Sequence, residues 1–217
     1  MKVFSATGGL AVTNGYLIVD EAAKVAVAID APQNTMAELL KGATEAGAEL
    51  KLLLLTHGHW DHISDHKVAT DAFPGCRVMI SRVEEARLEN PSGMTMTLPY
   101  TIPPRRADGY IEDGQTISAG GISLVAMYTP GHAAGHMCLY WPERGVLFAG
   151  DLLMAGAVGR WDLPDGDVEQ LKESLRKVLA LPVETSVFSG HGPATTIGRE
   201  REHNAFIRTA GLTKNAR

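Results

Sequence analysis

Residues 56–62 read Thr56-His57-Gly58-His59-Trp60-Asp61-His62, which places four metal-capable side chains within six residues. Directly before them stands an apolar run, Leu52-Leu53-Leu54-Leu55, bounded by Lys51 and Thr56. That run reads as a buried strand. A polar cluster at the end of a core strand needs a reason, because a buried polar group without a partner is costly. The strand end holds the loop rigidly, and Gly58 lets the backbone turn tightly. Neutral imidazole together with carboxylate suits a borderline divalent ion, zinc foremost.

Three further donors stand at comparable places. His132 closes Thr129-Pro130-Gly131-His132, just past an expected strand over 122–128. Asp151 ends Leu147-Phe148-Ala149-Gly150-Asp151, and His191 lies in Ser189-Gly190-His191-Gly192. Each follows a strand and a glycine, so one sheet edge can present all three to one cleft. His57, His59, His62, His132 and His191 with Asp61 and Asp151 make seven donors. Seven exceed the needs of one tetrahedral ion with an open position. They suit two metals, with one carboxylate bridging and a hydroxide between the ions. Asp61 and Asp151 are thus the candidate catalytic carboxylates, as ligands that also orient water. His66 and His203 read as surface residues, and His136 as a support to the ligands or a packing residue.

The remaining chain reads as two strand-rich halves, each followed by helices. Short β-branched runs over 16–19 and 25–29 form a hairpin pair. Helical spacing covers 35–46, with Asn34 or Thr35 as cap, and 168–181, with Asp165 or Asp167 as cap and Pro182 as stop. Further strands are expected at 77–80, 137–140, 146–148 and 187–188, a short helix at 83–88, and a closing helix over 195–208. The stretch 90–114 holds Pro91, Pro99, Pro103 and Pro104 and reads as a surface excursion. Two packed sheets with helices outside are the expected architecture.

Composition removes several alternatives. At 45% hydrophobic and 21% charged over 217 residues, the chain is no disordered polymer. No linker or repeat divides it, so a single domain spanning 1–217 is expected. Lys and Arg number 20 against 25 Asp and Glu, so no basic excess exists to neutralise phosphates, and no nucleic-acid partner is expected. The longest apolar run falls far short of the roughly 20 residues that a membrane span needs. The N-terminal residues show no signal-peptide pattern, and the expected location is cytoplasmic. Cys76 and Cys138 cannot make a disulfide framework or a Cys-based zinc site; they read as two reduced core thiols.

The donor pattern His57-x-His59-x-Asp61-His62, His132, Asp151 and His191 resembles the metallo-β-lactamase fold superfamily. Thr13-Asn14-Gly15-Tyr16, Thr129-Pro130-Gly131-His132-Ala133-Ala134-Gly135-His136, Phe148-Ala149-Gly150-Asp151, Gly159-Arg160-Trp161-Asp162 and Gly190-His191-Gly192-Pro193 are similar to its glyoxalase II (hydroxyacylglutathione hydrolase) branch. The resemblance implies an α+β fold, an αββα sandwich of two mixed sheets packed face to face with helices outside. It implies that His57, His59 and His132 bind a first metal, that Asp61, His62 and His191 bind a second, and that Asp151 bridges. Two divalent ions follow, zinc first, with iron or manganese as alternatives. The implied activity is hydrolysis of a small-molecule thioester such as S-lactoylglutathione by the bridging hydroxide, with Arg160 as a substrate contact. The sequence runs 26 residues past His191. The resemblance therefore implies a chain without the helical glutathione-binding region of full-length glyoxalase II. Two alternatives stay open on the same fold: a persulfide dioxygenase with one iron on His57, His132 and Asp151, and a lactonase or other ester or amide hydrolase.

Overall fold

The computed structural model describes residues 1–91 and 97–212. Its contacts divide the chain into two compact units, Met1–Ile111 with Ile117–Ser123, and Glu112–Thr116 with the residues from Leu124 onward.

The first unit is built on a six-stranded mixed sheet. Its strands, in sheet order and in chain order, are β1 (Lys2–Gly8), β2 (Thr13–Asp20), β3 (Val25–Ile29), β4 (Glu49–Leu54), β5 (Arg77–Ile80) and β6 (Gly109–Tyr110). The first three run antiparallel, and β3 through β6 are parallel. Parallel neighbours require crossovers. These are α1 (Met36–Glu45), then α2 (Trp60–Ile63) with α3 (His66–Ala72), then α4 (Glu85–Glu89). Central strands covered on both faces read as unbroken apolar runs. Leu17, Ile18 and Val19 in β2 and Leu53, Leu54 and Leu55 at the end of β4 are all fully buried. The metal-capable loop thus leaves from a fully buried part of this sheet.

The second sheet has the order β14-β13-β10-β9-β8-β7. In chain order these are β7 (Thr116–Ala119), β8 (Ile122–Tyr128), β9 (Met137–Trp141), β10 (Val146–Gly150), β13 (Ser186–Ser189) and β14 (Thr195–Thr196). A small ribbon, β11 (Leu153–Met154) and β12 (Ala157–Val158), follows β10. The parallel pair β10 and β13 is joined through α5 (Val168–Leu179). Asp167 caps α5, accepting from the Glu169 and Gln170 amides at 2.8 and 3.0 Å. Leu171, Leu175, Val178 and Leu179 form its buried face, in a core with Leu147, Ala149 and Val187. Two mixed sheets with helices agree with the expected class.

Two expectations change. The closing stretch is not one helix: Thr195 and Thr196 pair as β14, then α6 (Ile197–His203) and α7 (Ala205–Thr209) follow. Asn204 breaks them with extended backbone, φ −67° and ψ 118°, and its side chain caps α7. The stretch 90–114 is more than a surface excursion, because Ile102 and Ile111 are buried and β6 joins the sheet; residues 92–96 lie outside the described residues. No helix among the described residues is long and apolar enough to cross a membrane.

Candidate metal centre

Within the first unit, Asp30 organises the histidine loop. It follows β3 at φ +57° and is buried. Its Oδ1 accepts the Thr56 amide at 2.8 Å, and its Oδ2 lies 2.9 Å from both Thr56 Oγ1 and His62 Nδ1. The Thr56 hydroxyl has one proton and gives it to Asp30. It must therefore accept from His57 Nδ1, 3.0 Å away. Both Nδ1 atoms are thereby protonated, which makes Nε2 the lone-pair nitrogen of His57 and of His62. His57 Nε2 meets His59 Nδ1 at 2.9 Å, and the His57 and His62 rings lie 4.2 Å apart. Two nitrogens on one tetrahedral ion stand about 3.3 Å apart, given bonds near 2.0–2.1 Å. The Asp61 carboxylate is aimed by Thr13, whose hydroxyl donates to Oδ2 at 2.7 Å, and that oxygen lies 3.4 Å from His62 Nε2.

Within the second unit, Asp151 plays the central part. It leaves the end of β10, and its Oδ2 lies 3.5 Å from His132 Nε2 and 3.2 Å from His191 Nε2. His132 donates from Nδ1 to the Arg160 carbonyl at 2.8 Å, so its Nε2 also carries the lone pair. Gly131 places His132: at φ +123°, a Cβ there would come within 2.2 Å of the Leu171 amide nitrogen. Gly159 shapes the other side, since its Cβ would fall 1.8 Å from the Asp151 carbonyl oxygen. His136 accepts the Asp151 amide on Nε2 at 3.1 Å, and its Nδ1 lies 2.9 Å from Thr129 Oγ1. The reading of His136 as a support to the ligands matches this bond.

The chemistry of this donor set fits divalent metal. Three imidazoles have their tautomer set by an Nδ1 partner, and both carboxylates are oriented beside an imidazole Nε2. Arg160 is an exposed residue whose guanidinium pairs with Asp162 at 2.8 and 2.9 Å; its carbonyl, not its charge, reaches His132. His203 is exposed as expected. His66 is not a surface residue: it is 2% exposed, and its Nε2 donates to the Pro103 carbonyl at 2.8 Å. Burial pushes the Cys76 and Cys138 thiols up to about 12, so neither is a nucleophile near neutral pH. The sequence pattern did not show the supporting roles of Asp30, Thr56 and Thr13. For Asp30 a signal existed: a carboxylate directly after a strand, as at Asp151.

Comparisons with known proteins extend these findings. The family Lactamase_B, described as the metallo-beta-lactamase superfamily, matches residues 12–191. The hydroxyacylglutathione hydrolase GloC of Haemophilus influenzae is 33% identical over 201 residues, covering 89% of this chain and 92% of that protein. Among solved structures, the BLEG-1 B3 metallo-beta-lactamase is similar with a TM-score of 0.86 and 33% identity, over 95% of this chain and 99% of that one. TTHA1623 in a di-iron-bound form is similar with a TM-score of 0.80 and 34% identity, over 94% and 99%.

Proposed function

Because the chain belongs to the metallo-beta-lactamase superfamily, whose members are mostly metal-dependent hydrolases, we propose that it is a binuclear hydrolase of thioesters, S-D-lactoylglutathione among them. His57, His59 and His132 would hold one ion and Asp61, His62 and His191 the other, with Asp151 as the ligand that both would share. One observation carries the reading. Asp151 Oδ2 stands within 3.5 Å of the Nε2 atoms of His132 and His191, residues assigned to different ions. The GloC relative supports the thioester as substrate class. Zinc suits the nitrogen-rich donors, and the similarity to a di-iron-bound protein makes iron the alternative.

When bound, the metals lower the pKa of water toward neutrality and polarise the substrate carbonyl. The chain's residues set the stage for that step. Asp30 keeps His57 and His62 in the tautomer that presents Nε2. Thr13 donates to Asp61 Oδ2 and so leaves the Asp61 carboxylate one fixed orientation. No thiol in the chain offers a covalent route, since both are buried and protonated. Arg160 stands exposed, and we assign it to a substrate carboxylate, exchanging its bond to Asp162 for one to the ligand.

Steady-state kinetics test the proposal. The metal-loaded protein is expected to hydrolyse both S-D-lactoylglutathione and a small thioester without glutathione. Arg160→Ala is expected to raise KM for the glutathione thioester about tenfold while leaving kcat unchanged, because a charged contact made equally in both states is lost. No hydrolysis of either thioester by fully metallated protein overturns the proposal. Oxygen consumption with a persulfide substrate would replace it with the dioxygenase reading.

A further inference from the structure

Glu84 is a carboxylate outside the seven proposed ligands, only 1% exposed, in the turn Arg82–Glu84 that precedes α4. Its Oε2 accepts the backbone amide of Gly58 at 3.0 Å. The same oxygen accepts from Arg87 Nη1 at 2.6 Å. Gly58 is the residue between His57 and His59. A Cβ on Gly58 would stand 2.8 Å from Arg87 Cβ and 3.0 Å from Glu84 Oε2, so the loop lies directly against this ion pair. A side chain at position 58 would push the loop off its support.

Burying a carboxylate is costly unless it is paired and hydrogen-bonded. Arg87 supplies the pairing, and the Gly58 amide adds a charge-assisted bond to the peptide that links the two histidines. Asp30 holds the His57 ring through Thr56. Glu84 holds the backbone of the same loop. We infer that Glu84 is a positioning residue for the metal loop, fixing through the Gly58 amide the approach of His57 Nε2 to His59 Nδ1. This inference rests on the ligand assignment proposed above. Such outer partners fix the geometry of the ligands before the ion arrives, so their loss weakens metal binding more than it weakens the fold.

Zinc titration of the metal-free full chain, in competition with a chromophoric chelator, tests it. Glu84→Ala leaves a hole that can unfold the chain, so Glu84→Met, which fills the volume but offers the amide no oxygen, carries the test. Glu84→Met is expected to bind one of the two zinc ions at least tenfold more weakly, and Glu84→Gln, whose amide oxygen still accepts from Gly58, to stay within about threefold of wild type. Zinc affinity unchanged in Glu84→Met, with only a lowered melting temperature of the metal-free form, overturns the inference. A Glu84→Gln as weak as Glu84→Met also overturns it. A wild type that takes up no zinc overturns the ligand assignment on which the inference rests, which keeps the two failures distinct.

Discussion

His66 is a buried imidazole four residues past the last ligand of the first motif, and its environment has a pH signature. Its Nε2 donates to the Pro103 carbonyl, and its Nδ1 is buried with no hydrogen-bond partner among the described residues. Burial holds its pKa below the ordinary histidine value, and the nearby Arg105 and Lys67 push the same way against the Pro103 bond. The folded protein therefore favours the neutral ring, while the unfolded chain takes up a proton near pH 6.5. The stability due to this difference is present above the unfolded pKa and is lost as the pH falls from there toward the folded pKa. His66→Gln keeps a donor for Pro103 but does not titrate. Urea midpoints measured between pH 7.5 and 5 are expected to fall more steeply for wild type than for His66→Gln; equal slopes would contradict the account. All seven proposed ligands were named from residue type and spacing, because they sit beside strand ends and glycines. Their supports were not. Asp30 bonds Thr56 and His62 across 26 and 32 residues, and His66 meets Pro103 across 37. No local window pairs residues so far apart, so His66 passed for a surface helix residue.

Elements became legible in proportion to how much of their structure is local. The helix α5 carries its own signals, an Asp167 cap and an apolar face at three- and four-residue spacing, and it formed where expected. Its start also supports the site, since the Asp167 amide donates to the Gly131 carbonyl at 2.9 Å, one residue before His132. Asp167→Ala is expected to lower unfolding free energy by about 0.5–2 kcal/mol, measured by chemical denaturation; no loss would show the cap to be idle. The start of α1 shows the opposite case. Thr35 makes no side-chain cap there, and Asp65 Oδ2 accepts the Thr35 and Met36 amides from 30 and 29 residues away. The two-residue strands β6, β11, β12 and β14 exist only through their partners, so no periodicity announces them. The edge strand β1 buries only Ala6 and offers no apolar alternation to read.

At the scale of the whole molecule, each unit has its own apolar core, one around Leu17, Leu53 and Val78, the other around Leu147, Leu171 and Val187. The superfamily match runs from residue 12 to residue 191 and so includes all seven proposed ligands. The central claim is that these seven hold two ions. Elemental analysis of the metal-reconstituted wild type and of His191→Ala tests it most directly. Two ions per chain in the wild type and one in His191→Ala are predicted, because that histidine serves only one of the two. One ion per chain in both proteins would contradict the binuclear account.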